Sequence, residues 1–339
     1  MKNLYVLLVG INDYQPPLQP LRGCIKDINR LHKFIDQHCD DFEVHPMRLE
    51  NANATYRNII DGFQKHLCKA GPDDVAWFHF SGHGSEEYCA EELRAIEPNG
   101  KDQTLICYDS RSGGAEHLAD KELAVLLNQV ATRDDQGNPK KNPPHIVVSL
   151  DCCHSGSGTR SASDDAEVRT RNASSSGKIR SLDSYIDGFY AKQGGTFQVP
   201  PSPHVVLSAC ESIQLAGDLS KGGAFTTGLV DALNRTKGDI NYADLFMQAR
   251  SSVRKIRKNQ TPQFDTIGNF DPYVRFLAGT RKGTPDLYEV VKENDKWYVK
   301  CGAIHGLPTA PASPIELEIY DAEDADESSE PAGKGKILT

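Results

Sequence analysis

Apolar residues fall into two rhythms along this chain. The segment from Asn3 carries a continuous apolar run, Leu4 to Val9, closed by Gly10. That is the pattern of a strand buried on both faces of a parallel sheet. Similar runs follow at Val75–Phe80, Thr104–Tyr108, His145–Leu150 and His204–Ala209, with a less apolar one at Pro272–Ala278. Between them, apolar side chains recur at three-to-four spacing. One series is Ile25, Ile28, Leu31, Phe34 and Ile35, and a second is Ile59, Ile60, Phe63 and Leu67. A third is Leu123, Leu126, Leu127 and Val130. Phe225, Leu229 and Leu233 continue the pattern, then Leu245, Phe246, Ala249 and Val253. Each marks a helix with one apolar face. Strands alternating with helices predict an α/β protein with a mainly parallel sheet between helical layers.

Two regions break the rhythm. Residues 155–203 are rich in Ser, Gly, Asp and Arg and have little periodicity before Tyr185, so they read as a flexible insert between two strands. After about residue 280, Leu287–Lys292 and Trp297–Cys301 flank Glu-Asn-Asp as a β-hairpin would. Ile315–Tyr320 reads as a further strand, and the acidic run Asp321–Glu330 as a disordered tail. The expected organisation is a main domain over residues 1–280 and the β-rich opening of a second module over 281–339. The ending at Ile337, Leu338 and Thr339 reads as a cut within a longer protein.

Length and charge narrow the function. A chain of 339 residues can bury a sizeable core. Its 38 Lys and Arg against 47 Asp and Glu argue against nucleic acid as a direct partner. No stretch approaches the ~20 apolar residues of a membrane helix, and Leu4–Val9 is too short for a secretory signal core. The cysteines number nine, irregularly spaced, with Cys152 and Cys153 adjacent. That usage suits a reducing compartment, so a cytoplasmic location is expected.

Chemistry concentrates at two strand ends, where α/β sheets gather functional groups. One is Phe78-His79-Phe80-Ser81-Gly82-His83-Gly84; the other is Val148-Ser149-Leu150-Asp151-Cys152-Cys153-His154-Ser155-Gly156. A histidine between glycines beside a thiol on a neighbouring strand makes a base and a nucleophile. A zinc site from His83, Cys152, Cys153 and His154 is the alternative. It fits poorly, because adjacent residues of an extended chain point to opposite faces and the usual Cys-x2-Cys spacing is absent.

These residues resemble the signature of metacaspases and their bacterial caspase-like relatives. The likeness spans roughly residues 1–280. It includes Leu21-Arg22-Gly23-Cys24-Ile25-Lys26-Asp27, then Ser208-Ala209-Cys210 with Gln214 and Asp218, then Gln260-Thr261-Pro262-Gln263. The animal-caspase pentapeptide Gln-Ala-Cys-Arg-Gly is absent. The resemblance implies a three-layer α/β/α sandwich around a mainly parallel six-stranded caspase-like sheet. It implies a cysteine endopeptidase with Cys153 as nucleophile, His83 as base and then acid, and the amides of Gly84 and Cys153 as oxyanion donors. Cys152 is then a small apolar filler on the opposite face.

By the same analogy, Asp27, Asp151 and Asp218 line the S1 pocket, with Ser81 and Cys24 as neutral neighbours. A buried carboxylate without a partner is costly, and an incoming guanidinium or ammonium removes that cost. The expected substrates are proteins or peptides cut after Arg or Lys. Arg160, Arg169, Arg171, Lys178 and Arg180 in the insert match that preference, so self-cleavage within residues 160–180 is expected. No organic cofactor is required. Calcium is open as an activator, with Glu86, Glu87, Glu91, Glu92, Asp102 and Asp109 as acidic candidates in a loop without EF-hand spacing. Two rival readings share the fold: an effector silent until a partner or second messenger binds through the C-terminal module, and a pseudoprotease scaffold.

Overall fold

A computed structural model of the chain describes residues 1–112, 114–153, 169–175, 177–210, 216–219 and 221–277, and beyond them 290–293, 296–299, 315–319 and 333–337. Two compact units divide the chain, Met1–Arg281 and Lys282–Thr339.

In the first unit the strands are β1 (Lys2–Gly10), β2 (Phe42–Glu50), β3 (Val75–Ser81), β4 (Gly84–Tyr88), β5 (Lys101–Leu105), β6 (Leu118–Ala119), β7 (His145–Asp151), β8 (Arg169–Thr170), β9 (His204–Ser208), β10 (Gly217–Leu219), β11 (Gly222–Gly223) and β12 (Gln263–Ile267). The helices are α1 (Cys24–His38), α2 (Tyr56–Lys65), α3 (Asp120–Thr132), α4 (Ala224–Thr236) and α5 (Tyr242–Ile256). Six strands form the central sheet in the order β12-β9-β7-β3-β1-β2. All its pairings are parallel except that of β12 with β9. Two small three-stranded sheets, β4-β5-β6 and β8-β10-β11, stand beside it.

Alternation along β1 separates the two cores. Leu4, Val6 and Leu8 face one, with Ile28, Leu31 and Phe34 of α1 and the apolar faces of α4 and α5. Leu7 and Val9 face the other, with Ile59, Ile60 and Phe63 of α2 and Leu126, Leu127 and Val130 of α3. The result is the three-layer α/β/α sandwich. Two of the six strands differ from those the apolar runs mark. The run Thr104–Tyr108 begins in β5 of a small side sheet and runs past its end, and within Pro272–Ala278 Phe276 and Leu277 are buried without forming a strand. Their places are taken by β2 and β12, the two sheet edges. Edge strands are half exposed and polar, so no apolar run announces them. Pro46 sits within β2, where an edge tolerates a missing N–H.

The expected flexible insert needs correction. Residues 177–202 pack back onto the body through three short 3-10 turns, Leu182–Ser184, Ile186–Gly188 and Ala191–Gln193. Arg180, Tyr185 and Tyr190 are buried. Arg180 makes a bidentate pair with Glu122 of α3 at 2.8 and 2.7 Å, donates to the carbonyls of His117 and Ser184, and lies 4.3 Å over the Tyr185 ring. This also removes Arg180 from the self-cleavage candidates, because a buried, paired side chain in a packed segment cannot reach an active site. A basic residue counted as solvated loop is in fact the anchor of that loop.

The second unit contributes two hairpins, β13 (Val290–Glu293) with β14 (Lys296–Val299) and β15 (Ile315–Ile319) with β16 (Gly333–Ile337). The acidic run 321–330 lies outside the described residues.

Arg180→Ala should cost about 3–5 kcal/mol of stability, since it strands the Glu122 carboxylate in the core. The double change Arg180→Met with Glu122→Leu should recover only part of that loss, because the Tyr56 hydroxyl and the amides of Ala119 and Ile186 then lose their acceptor, as urea unfolding would measure.

Candidate active site

The sheet brings the strand ends together by register. Gly10 of β1 lies beside Ser81 of β3, which lies beside Asp151 of β7. The chain beyond β3 carries Gly82, His83 and Gly84, and the chain beyond β7 carries Cys152 and Cys153. Strand alternation sends the two adjacent thiols to opposite cores. All eight cysteines among the described residues are free and buried.

His83 is held on both sides. Its backbone N–H donates to the Tyr14 hydroxyl at 3.0 Å, and the Tyr14 ring lies 4.7 Å from the imidazole. Nε2 lies 2.8 Å from the Gln19 carbonyl, which can only accept, so Nε2 carries the proton. Nδ1 is buried and has no hydrogen-bond partner among the described residues. Burial lowers the imidazole to about 4, so it is neutral near pH 7 and Nδ1 presents a lone pair. That is the state a general base needs. The backbone N–H of Ala216 donates to Cys153 Sγ.

Three carboxylates gather beside these strand ends. Asp27, from the first turn of α1, accepts from Gly223 N at 2.9 Å and from Ser81 Oγ at 2.8 Å. Asp151 accepts from the amide and hydroxyl of Thr226 at 2.9 and 2.6 Å. Asp218 accepts from the amides of Arg22 and Gly23 at 2.7 and 3.0 Å. All three are buried, as are Ser81 and Cys24. Burial pushes the Cys24 thiol up to about 12, so it stays neutral.

The pocket is filled by Arg171 of the same chain. Its guanidinium, fully buried, lies 2.7 Å from Asp27, 3.1 Å from Asp151 and 3.0 Å from Asp218, and donates to Ser81 Oγ at 2.7 Å. The Arg171 carbonyl accepts from Gly84 N at 3.0 Å and Cys153 N at 3.2 Å. Those are the two amides expected to form the oxyanion hole. Upstream of Arg171, β8 pairs antiparallel with β10. The self-cleavage candidates therefore separate. Arg171 occupies the pocket; Lys178 is exposed and pairs with Glu116 at 2.6 Å. Arg169 contributes backbone to β8, and Arg160 lies outside the described residues, with His154 and Gln214.

Glycine makes the fit sterically feasible. A Cβ on Gly84 would stand 1.7 Å from the Cys153 carbonyl oxygen, and one on Gly223 would stand 2.2 Å from Asp151 Oδ2 and 2.7 Å from the Arg171 guanidinium. Gly223, Thr226, Ala216 and Tyr14 were not singled out in the sequence, since each acts through a backbone position or a contact distant in the chain. Gln260 braces the rim, accepting from Gly217 N at 3.1 Å and donating to the Ala209 carbonyl at 3.0 Å.

Four of the six acids offered for calcium have other partners. Asp102 is buried against Lys121 Nζ at 2.6 Å, and Asp109 caps the Tyr56 amide at 2.8 Å. Glu86 pairs with Lys101, and Glu87 lies 3.2 Å from His117. Glu91 and Glu92 are on the exposed start of a short 3-10 turn. Among the described residues, no group of three or more His, Cys, Asp or Glu side chains is disposed to hold a metal ion. None of the described helices is long and apolar enough to cross a membrane.

Comparison with known proteins agrees with the fold. The caspase domain model of peptidase family C14 matches residues 4–272. The chain belongs to the caspase-domain family. It is 30% identical over 290 residues to metacaspase-5 of Trypanosoma cruzi, a match covering 80% of this chain and 59% of that relative. It is 30% identical over 155 residues to metacaspase III c of Phaeodactylum tricornutum, covering 44% and 42% of the two chains. The matches thus span 42% and 59% of the lengths of those relatives. The solved structure of protein GSU0716 from Geobacter sulfurreducens shares the fold, with a TM-score of 0.57 at 22% identity, covering 82% of this chain and 99% of that one.

One guanidinium cannot neutralise three carboxylates. Burial, with the charge of Asp151 adding to it against the opposing pull of Arg171, raises Asp27 to about 6. Its folded value lies above the ordinary 3.8, so the stability it contributes is complete below that value and is lost as pH rises through about 6. Urea unfolding should show Asp27→Asn gaining on the unmodified chain by up to about 3 kcal/mol between pH 4 and pH 7.

Proposed function

We propose that this chain is a cysteine endopeptidase that cuts after Arg, and with lower fit after Lys, and that its first substrate is its own Arg171–Asn172 bond. The observation that carries this reading is the seating of Arg171, with its guanidinium among Asp27, Asp151 and Asp218 and its carbonyl on Gly84 N and Cys153 N. A side chain seeking only burial would not need its carbonyl held by two converging amides beside a thiol and an imidazole.

The chemistry follows from the residues. His83 Nδ1 takes the Cys153 proton, and Sγ attacks the Arg171 carbonyl carbon. The oxyanion forms on the Gly84 and Cys153 amides. As the bond to Asn172 breaks, His83 returns the proton to the leaving amine, and a thioester joins Arg171 to Cys153. Water, deprotonated by His83, then releases the Arg171 carboxylate and frees Sγ. Arg recognition rests on charge and on the fork geometry that lets one group reach three acids; an ammonium reaches fewer.

The same contacts make the uncut chain its own competitor. No other basic side chain can enter while Arg171 remains, so activity on separate substrates follows departure of that segment. This favours a switch-controlled enzyme over a scaffold, since a scaffold has no use for an aligned scissile bond.

Purified protein held with and without calcium should yield a fragment beginning at Asn172, identified by N-terminal sequencing. Cys153→Ala should yield none, and Cys152→Ala should cut near the normal rate. Hydrolysis of an Arg-coumarin peptide should lag until cutting proceeds, and Arg171→Ala should abolish the lag. Cutting that persists in Cys153→Ala, or equal turnover of Asp and Arg peptides, would overturn the reading.

A further inference from the structure

Beyond Arg171 the chain continues through the site in an ordered path. Asn172 bridges Gly84, and Ala173 N donates to the Gly84 carbonyl at 3.0 Å. Ser85 Oγ donates to the Ala173 carbonyl at 2.9 Å and approaches the Ser174 carbonyl at 3.2 Å. Arg111 Nη2 donates to the Ser174 carbonyl at 2.8 Å. The Ala173 side chain is 7% exposed and belongs to the core cluster of α2 and α3.

Arg111 is not a loose surface arginine. Its Nε donates to His117 Nε2 at 2.7 Å. His117 is buried, and desolvation, with the charge of Arg111 beside it, lowers it to about 3, so it is neutral. Accepting at Nε2, it carries its proton on Nδ1, which faces Thr104 Oγ1 at 3.0 Å and Glu87 at 3.2 Å. Glu87, Thr104 and His117 thus fix the direction in which Arg111 points.

Resting on the cleavage reading above, we infer that Ser85 and Arg111 form a leaving-side clamp that grips the carbonyls of the second and third residues after the cut, over a pocket that admits only a small second residue. Carbonyls are common to all sequences, so the clamp requires length rather than sequence. The pocket around Ala173 supplies the one side-chain requirement. The substrate class is therefore an extended segment of the form Arg, any residue, small residue, continuing at least one residue further. His117 is a positioning residue that acts through Arg111.

Self-cutting engages the clamp, whereas an Arg-coumarin peptide ends before it. The experiment measures, in the full chain, the rate of appearance of the Asn172 terminus divided by Arg-coumarin turnover once the chain is cut. Arg111→Met should lower that ratio by about tenfold or more, the worth of one hydrogen bond from a charged donor. Ala173→Phe should lower it further, and Ala173→Gly should keep it within about threefold, because only volume changes the fit. His117→Phe should lower it in the direction of Arg111→Met. Ratios unchanged in both Arg111→Met and Ala173→Phe overturn the clamp while leaving Arg specificity standing. A wild-type chain that neither cuts itself nor turns over Arg-coumarin removes the clamp together with the reading it rests on.

Discussion

A guanidinium buried among three carboxylates governs this structure. Asp27, Asp151 and Asp218 come from α1, β7 and β10, separated by long stretches of chain, and each has donors of its own: Gly223 and Ser81, Thr226, and the Arg22 and Gly23 amides. Those donors lower the cost of assembling like charges in a low-dielectric site, but they do not cancel it. The pocket is left short of positive charge, and Arg171 supplies one. The raised Asp27 carboxyl is the residue of that mismatch. On the proposed reading, a site built in this way holds whichever cation reaches it in the right orientation.

The same connection holds a second buried arginine in the opposite circumstance. Arg180 meets a single carboxylate, Glu122, in a bidentate pair beneath the Tyr185 ring. Charge is matched one to one, and the His117 and Ser184 carbonyls and the Ser184 hydroxyl take the remaining N–H groups. Nothing is left for a replacement to improve on. Excess acid marks a ligand's place and balanced charge marks an anchor. The two lie nine positions apart, so the segment between them is fixed at both ends, with the proposed scissile bond at one of them.

Strand geometry does the rest. In a parallel sheet the ends of β1, β3 and β7 share one edge, so the histidine loop after β3 and the cysteine after β7 meet without any local sequence relation. Glycine at 84 and 223 lets backbone and ligand approach where a methyl group would collide. The carboxylates are carried by a helix start and two strands, one of which, β10, pairs with the β8 segment that leads into Arg171.

The sequence by itself determined the layers, the central strands β1, β3, β7 and β9, the helices, and the placing of His83 and Cys153 at strand ends, because buried strands and amphipathic helices write their periodicity into the chain. The three pocket acids were legible through likeness to a family, not through any pattern of their own. The edge strands β2 and β12 were not legible, since half-exposed strands carry no apolar run. Nor was the ordering of residues 177–202, whose burial rests on Arg180, Tyr185 and Tyr190, polar or amphipathic residues that a hydropathy pattern counts as loop. The sequence offered five basic residues for one pocket and had no means of choosing. Tertiary structure chose, because occupancy depends on which guanidinium reaches three separated carboxylates while its own carbonyl meets two amides, and that is a condition on positions in space.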